Sequence, residues 1–117
     1  MFLPKFDALI ARFPAERRAI ENLVELLSSK RFREVTFDHL VARLNPDSIE
    51  NLAFILAELT ASGILDRVIR VESPRDKGGI QDYSSLKDIP TRIHDWRTDE
   101  DVDVTPDTLR VIYKLHA

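Results

Sequence analysis

At 117 residues, 44% hydrophobic and 32% charged, the chain has the size and balance of one globular domain with a single core. Zero cysteines exclude a disulfide framework, a thiolate nucleophile and any Cys-ligated zinc site. A formal net charge of −3 gives no overall attraction to polyanions. No apolar run approaches the roughly 20 residues that span a bilayer, and "MFLPKFDALIARF" lacks the basic start and small-residue cleavage site of a secretory leader. A cytoplasmic setting with no membrane partner is the expectation.

The first segment places Phe2, Leu3, Phe6, Leu9, Ile10 and Phe13 at the three-and-four spacing of a short amphipathic helix over 1–13, which Pro14 breaks. "AERRAIENLVELLS" continues the period through Ala19, Ile20, Leu23, Val24, Leu26 and Leu27 and predicts a helix over 15–28, with Arg17 and Glu21 as an i,i+4 pair on the wet side. "SKRF" makes a basic turn and "REV" a short extended piece. Thr36 is placed to cap a third helix over 37–44, carrying Phe37, Leu40, Val41 and Leu44. In "NPDSIENLAFILAELTASG", Asn45 reads as the next cap and Pro46 as the first helical position. That helix runs over 46–61 until Gly63 supplies a left-handed stop. The period then changes. "ILDRVIRVES" is rich in β-branched residues, "PRDKGG" is a loop and "GIQDY" the return strand, a hairpin over 64–83.

The order helix, short strand, helix, helix, hairpin resembles the winged helix-turn-helix superfamily over roughly residues 14–83. The resemblance lies in pattern and spacing. It implies an α+β winged helix, a three-helix core with a β-hairpin wing, preceded by the N-terminal amphipathic helix and followed by a C-terminal extension over 84–117. Within that extension Leu109, Val111, Tyr113 and Leu115 alternate with Arg110, Ile112 and Lys114, the period of a strand over 109–115 with one buried face. A strand needs a partner, so the tail is expected to fold back and extend the small sheet. Pairing with a second copy in a homodimer is the other way to satisfy the edge.

Catalytic and metal chemistry find little support. Three glycines leave no phosphate loop or dinucleotide fingerprint, and Ser84 and Ser85 lie in no nucleophile elbow. His39, His94 and His116 lie far apart, without the spacing of a helical zinc pair, and read as surface or capping residues. The loop "HDWRTDEDVDVTPD" carries six acids, but it lacks the glycine of a calcium loop, and Asp99, Glu100 and Asp101 are consecutive, so it reads as a solvated surface loop. Trp96 is expected to cover a core or sheet. No enzyme and no cofactor are expected.

At 100° per residue, Ile49, Leu52, Ile55, Leu56 and Leu59 of the 46–61 helix form a core side, and Glu50, Phe54, Ala57, Glu58 and Ala61 face away. In DNA-reading members of the superfamily the outward face enters the major groove, where Arg, Lys, Asn and Gln serve and carboxylates repel phosphate. One aromatic, two alanines and an acidic rim suit a protein-docking spot instead. The competing account covers Phe54 with Phe2, Phe6 and Phe13 of the N-terminal helix. Arg67, Arg70, Arg75 and Lys77 on the wing, with Lys30, Arg31 and Arg33 in the first turn, are the candidates for phosphate contact. The wing cations are interleaved with Asp66, Glu72 and Asp76, so DNA binding should be weak or non-specific. The expected function is therefore a protein-interaction subunit or adaptor with another protein subunit as partner, and wing-led DNA binding is the alternative.

Overall fold

The structure is a computed structural model that describes residues 3–116. It is α+β: four α-helices among the described residues, a four-stranded sheet and a separate two-stranded hairpin. The chain divides into two compact units, Met1–Asp66 with Tyr113–Ala117, and Arg67–Ile112. Buried apolar side chains correspondingly form two clusters where a single core was expected. Phe2 lies outside the described residues.

All four helices belong to the first unit: α1 (Leu3–Arg12), α2 (Arg17–Ser28), α3 (Phe37–Leu44) and α4 (Ile49–Ala61). Pro14 opens a 3-10 turn, Pro14–Glu16, between α1 and α2. Phe6 and Leu9 of α1, Ala19, Ile20, Leu23 and Leu27 of α2, Leu40 and Leu44 of α3, and Leu52, Ile55, Leu56 and Leu59 of α4 are buried in one cluster with Leu65 and Tyr113. These are the periodic positions of the sequence, which is why the helices form where they do. Arg17 and Glu21 pair at 3.5 Å on the exposed side of α2.

Thr36 caps α3 as expected, its hydroxyl accepting from the His39 N–H at 3.0 Å. Asn45 does not start α4. It ends α3 in the left-handed conformation, φ 46°, with its N–H bonded to the Val41 carbonyl, and Ser48 caps α4 by accepting from the Asn51 N–H. Asn tolerates both roles, and the residues between it and Ile49 separate a C-cap from an N-cap. Gly63, φ 77°, supplies the expected stop after α4. Ile49, expected in the core, is 56% exposed. It shares a flank with the buried Leu56 but stands at the first position of the helix, about two turns away from it.

The sheet order is β1-β6-β2-β3, from β1 (Glu34–Thr36), β2 (Leu65–Glu72), β3 (Gly79–Tyr83) and β6 (Leu109–Leu115). The hairpin and the final strand thus form at the residues the alternation marks, and β6 joins the sheet as an interior strand. The expected one-sided burial of β6 is corrected: Val111 is 37% exposed, and the consecutive Ile112 and Tyr113 are both buried. Adjacent strand residues point to opposite faces, so the strand is covered on both faces at that place. In the hairpin Arg70 stands opposite Asp82, and a bulge follows Val71.

The acidic stretch is structured, a second correction. β4 (Arg92–Asp95) and β5 (Glu100–Asp103) form an antiparallel hairpin that seats Ile93 and Val102 against Val71 in the second cluster. Its outward pairs are complementary, Arg92 with Asp103 at 2.8 Å and His94 with Asp101 at 2.8 Å, and those ion pairs let a strand tolerate so many acids. Trp96, expected to cover a core, is 84% exposed in the hairpin turn and meets the His94 ring edge-on, centroids 4.4 Å apart.

Candidate docking face of the fourth helix

The side of α4 away from the core is apolar. Phe54 is 60% exposed, and Ile49, Ala53, Ala57 and Ala61 are exposed around it. A helix that is apolar on its dry side normally presents charge on its wet side. Here Glu50 is the one exposed charge on that surface of α4. Phe6 and Leu9 of α1 turn into the core, and Phe54 keeps 60% of its surface exposed.

The five residues expected on this face do not behave alike. Glu50, Phe54, Ala57 and Ala61 are exposed, whereas Glu58 is half-buried and engaged by two cations of α1, Lys5 Nζ at 3.4 Å and Arg12 Nη1 at 3.5 Å. Glu58 therefore ties α1 to α4, and Glu50 forms no ion pair among the described residues. Ile49 and Ala53 extend the face in a way the sequence pattern had not separated from the core side.

The base of α4 is fixed by a residue sequence reasoning missed. Glu16, 1% exposed, accepts from the Asp47 N–H at 2.7 Å, the Ser48 N–H at 2.9 Å and the Asn51 side-chain amide at 3.1 Å. A carboxylate at a helix N-terminus satisfies free N–H groups and opposes the positive end of the helix dipole. Nothing in "PAERR" marks that glutamate out, because its partners lie about thirty residues further on.

In the second unit two of the four wing cations are engaged by carboxylates. Arg70 Nε donates to Asp82 at 2.7 Å, and Arg75 pairs with Glu100 at 2.8 Å. Arg67 and Lys77 are exposed and form no ion pair among the described residues. Lys30, Arg31 and Arg33 are exposed in the turn before β1, where Arg33 donates to the Lys30 and Phe32 carbonyls.

Beside the wing turn, Asp95, fully buried, takes the Arg97 N–H at 3.0 Å and the Arg97 guanidinium, which also reaches both carboxylate oxygens of Asp76 at 3.3 Å. Burial alone would push Asp95 up, but the Arg97 bonds outweigh it and hold its carboxyl below the ordinary value. The Gly78 N–H, then Arg97, do the same for Asp76. A Cβ at Gly78 would collide with the Arg97 guanidinium, so the glycine makes room for this cluster. The two His94 ring nitrogens lie 2.8 Å from an Asp101 oxygen and 3.0 Å from an Asp99 oxygen, and the Asp101 bond chiefly raises its pKa above the ordinary value against a smaller burial effect. With both nitrogens held by carboxylates the imidazole is not free to act as a base toward a ligand. His116 pairs with Asp66 at 2.9 Å.

Among the described residues no group of three or more His, Asp or Glu side chains is arranged to hold a metal ion, and no helix is long and apolar enough to cross a membrane. Comparison with protein-family models, curated proteins and solved structures returns no match.

Proposed function

We propose that the chain is a non-catalytic protein-interaction subunit or adaptor built on a winged helix, with the outer face of α4 as its docking surface. The order α2, β1, α3, α4, β2, β3 supports the winged-helix reading, in which α4 would correspond to the DNA-reading helix. The observation that carries the function is Phe54, 60% exposed among Ile49, Ala53, Ala57 and Ala61. A large aromatic beside three alanines combines a pocket-filling anchor with a surface that a partner backbone can approach closely. The chain has no basic side chain on α4 to offer a phosphate backbone.

Affinity capture from the native host, parent beside Phe54→Ala, tests this. The parent retains at least one protein that the variant loses, since truncating a central aromatic costs about 2 kcal/mol or more of binding, roughly thirtyfold in Kd. Identical captures overturn the reading.

The second reading, phosphate contact through the wing, rests on Arg67 and Lys77, which form no ion pair among the described residues. Because Arg70 and Arg75 are paired with Asp82 and Glu100, duplex DNA is expected to bind weakly and only at low salt, since the few remaining phosphate contacts release few counterions and that gain fades as salt rises. Sequence-specific binding at physiological salt favours this reading over the first.

A further inference from the structure

We infer that the occupant of the α4 face is a second copy of this chain, docked with its α4 antiparallel about a two-fold axis at Phe54. The inference rests on the docking reading above and names its partner. Glu50, Phe54 and Glu58 follow one another at intervals of four residues, so they stack along one line of the helix with Phe54 midway, each step rising about 6 Å. A two-fold axis at Phe54 exchanges residue 50 of one copy with residue 58 of the other.

The charges at those two places are complementary. At residue 58 one carboxylate is bracketed by two cations, Lys5 at 3.4 Å and Arg12 at 3.5 Å, which leaves an excess of one positive charge. At residue 50 a lone exposed carboxylate stands without an ion pair among the described residues, with exposed Asp47 one turn before it. The antiparallel arrangement brings the acidic end of each face onto the basic end of its partner, twice by symmetry, and an isologous contact of this kind closes on itself. Phe54 meets Phe54 at the axis, flanked by Ala53 and Ala57, whose small side chains allow the roughly 8–10 Å interaxial distance of packed helices. A parallel pairing would set Glu50 against Glu50, and a foreign partner would give no reason for the face to match itself. The net charge of −3 per copy opposes association little, because charges beyond about 8 Å are screened at physiological salt. One helix face is a small interface, so the dimer is expected to be weak and concentration-dependent.

Sedimentation equilibrium of the purified full chain over a wide concentration range tests this, with circular dichroism to confirm that each variant is folded. The parent is expected to rise from 13.5 kDa toward twice that mass, and Phe54→Ala to stay monomeric throughout. Glu50→Arg sets like charges at both contacts, and so does Arg12→Glu, in which Lys5 still holds Glu58; each is expected to weaken self-association about tenfold. In an equimolar mixture of these two variants, one contact sets the introduced arginine against the introduced glutamate and the other sets the native Glu50 against the native Arg12, so the mixture is expected to restore association. A folded parent that stays monomeric overturns the second copy as occupant while leaving the capture experiment above to judge the docking face itself. A dimer that Phe54→Ala leaves intact, or a mixture that does not recover, overturns the antiparallel arrangement at Phe54.

Discussion

Replacing Glu16 by Ala removes a buried carboxylate and orphans three donors at the start of α4. Hydrogen bonds to a charged group are worth about 1.5–3 kcal/mol each when fully enclosed. Asp47 is exposed and Ser48 and Asn51 are half-buried, so water recovers part of each bond, and about 1 kcal/mol per bond remains, or about 3 kcal/mol in all. Glu16 also stands at the N-cap of α2, but its side chain makes no capping bond there, so the loss is confined to α4. For a chain of this size the change lowers Tm by about 12 °C, at roughly 4 °C per kcal/mol. Glu16→Gln keeps one acceptor but turns an amide N–H toward a backbone N–H, and should lose about half as much. Far-ultraviolet circular dichroism during urea unfolding follows the first unit, which holds all four helices, and the midpoint should fall with the slope unchanged. A loss below about 0.5 kcal/mol, the range of an ordinary surface change, would refute the capping role.

Phe54→Ala should change stability by no more than about 0.5 kcal/mol, whereas Phe6→Ala, which empties a site 1% exposed, should cost about 3–5 kcal/mol; calorimetry of the two variants checks the contrast. Asn45→Gly should match or slightly exceed the parent in Tm, and Asn45→Ala should fall by about 1 kcal/mol, because the residue holds φ 46°. His94, raised when folded, contributes stability that is fully present below its ordinary value of 6.5 and is lost as pH rises through the higher folded value; the difference between parent and His94→Gln, followed by urea unfolding, should shrink from pH 5.5 to 8.5 (roughly one unit below and two above that ordinary value). Asp76 and Asp95, lowered when folded, contribute stability present above their ordinary 3.8 and lost as pH falls through their lower folded values; Arg97→Met should therefore flatten the acid limb of the second unit, read from Trp96 fluorescence.

The helices were legible because each buries one stripe at the 3.6-residue period: Ile20, Leu23 and Leu27 or Leu52, Leu56 and Leu59 need only their spacing to be recognised. The β2–β3 hairpin and β6 were legible from β-branched alternation and the "PRDKGG" turn. The β4–β5 hairpin was not, because its strand character rests on cross-strand charge pairs, Arg92 with Asp103 and His94 with Asp101, that acquire meaning only once the register is known. Asp95 and Glu16 were hidden for a related reason: acids read as wet unless a partner is seen, and Arg97 and the α4 N-terminus become partners only through folding. On the candidate face, geometry placed Phe54, Ala57 and Ala61 outward. It had no means of knowing that Lys5 and Arg12 would take Glu58, or that Ile49 would stand clear of the core.

The claim that a protein covers α4 is tested most directly by a photo-crosslinking phenylalanine analogue at position 54, irradiated in the native host, with the same probe at exposed Glu25 of α2 as control. The account predicts a covalent adduct from position 54, either with another protein or with the chain itself, at a yield well above that from position 25. Equal yields from the two positions, or an adduct with nucleic acid alone, would contradict it.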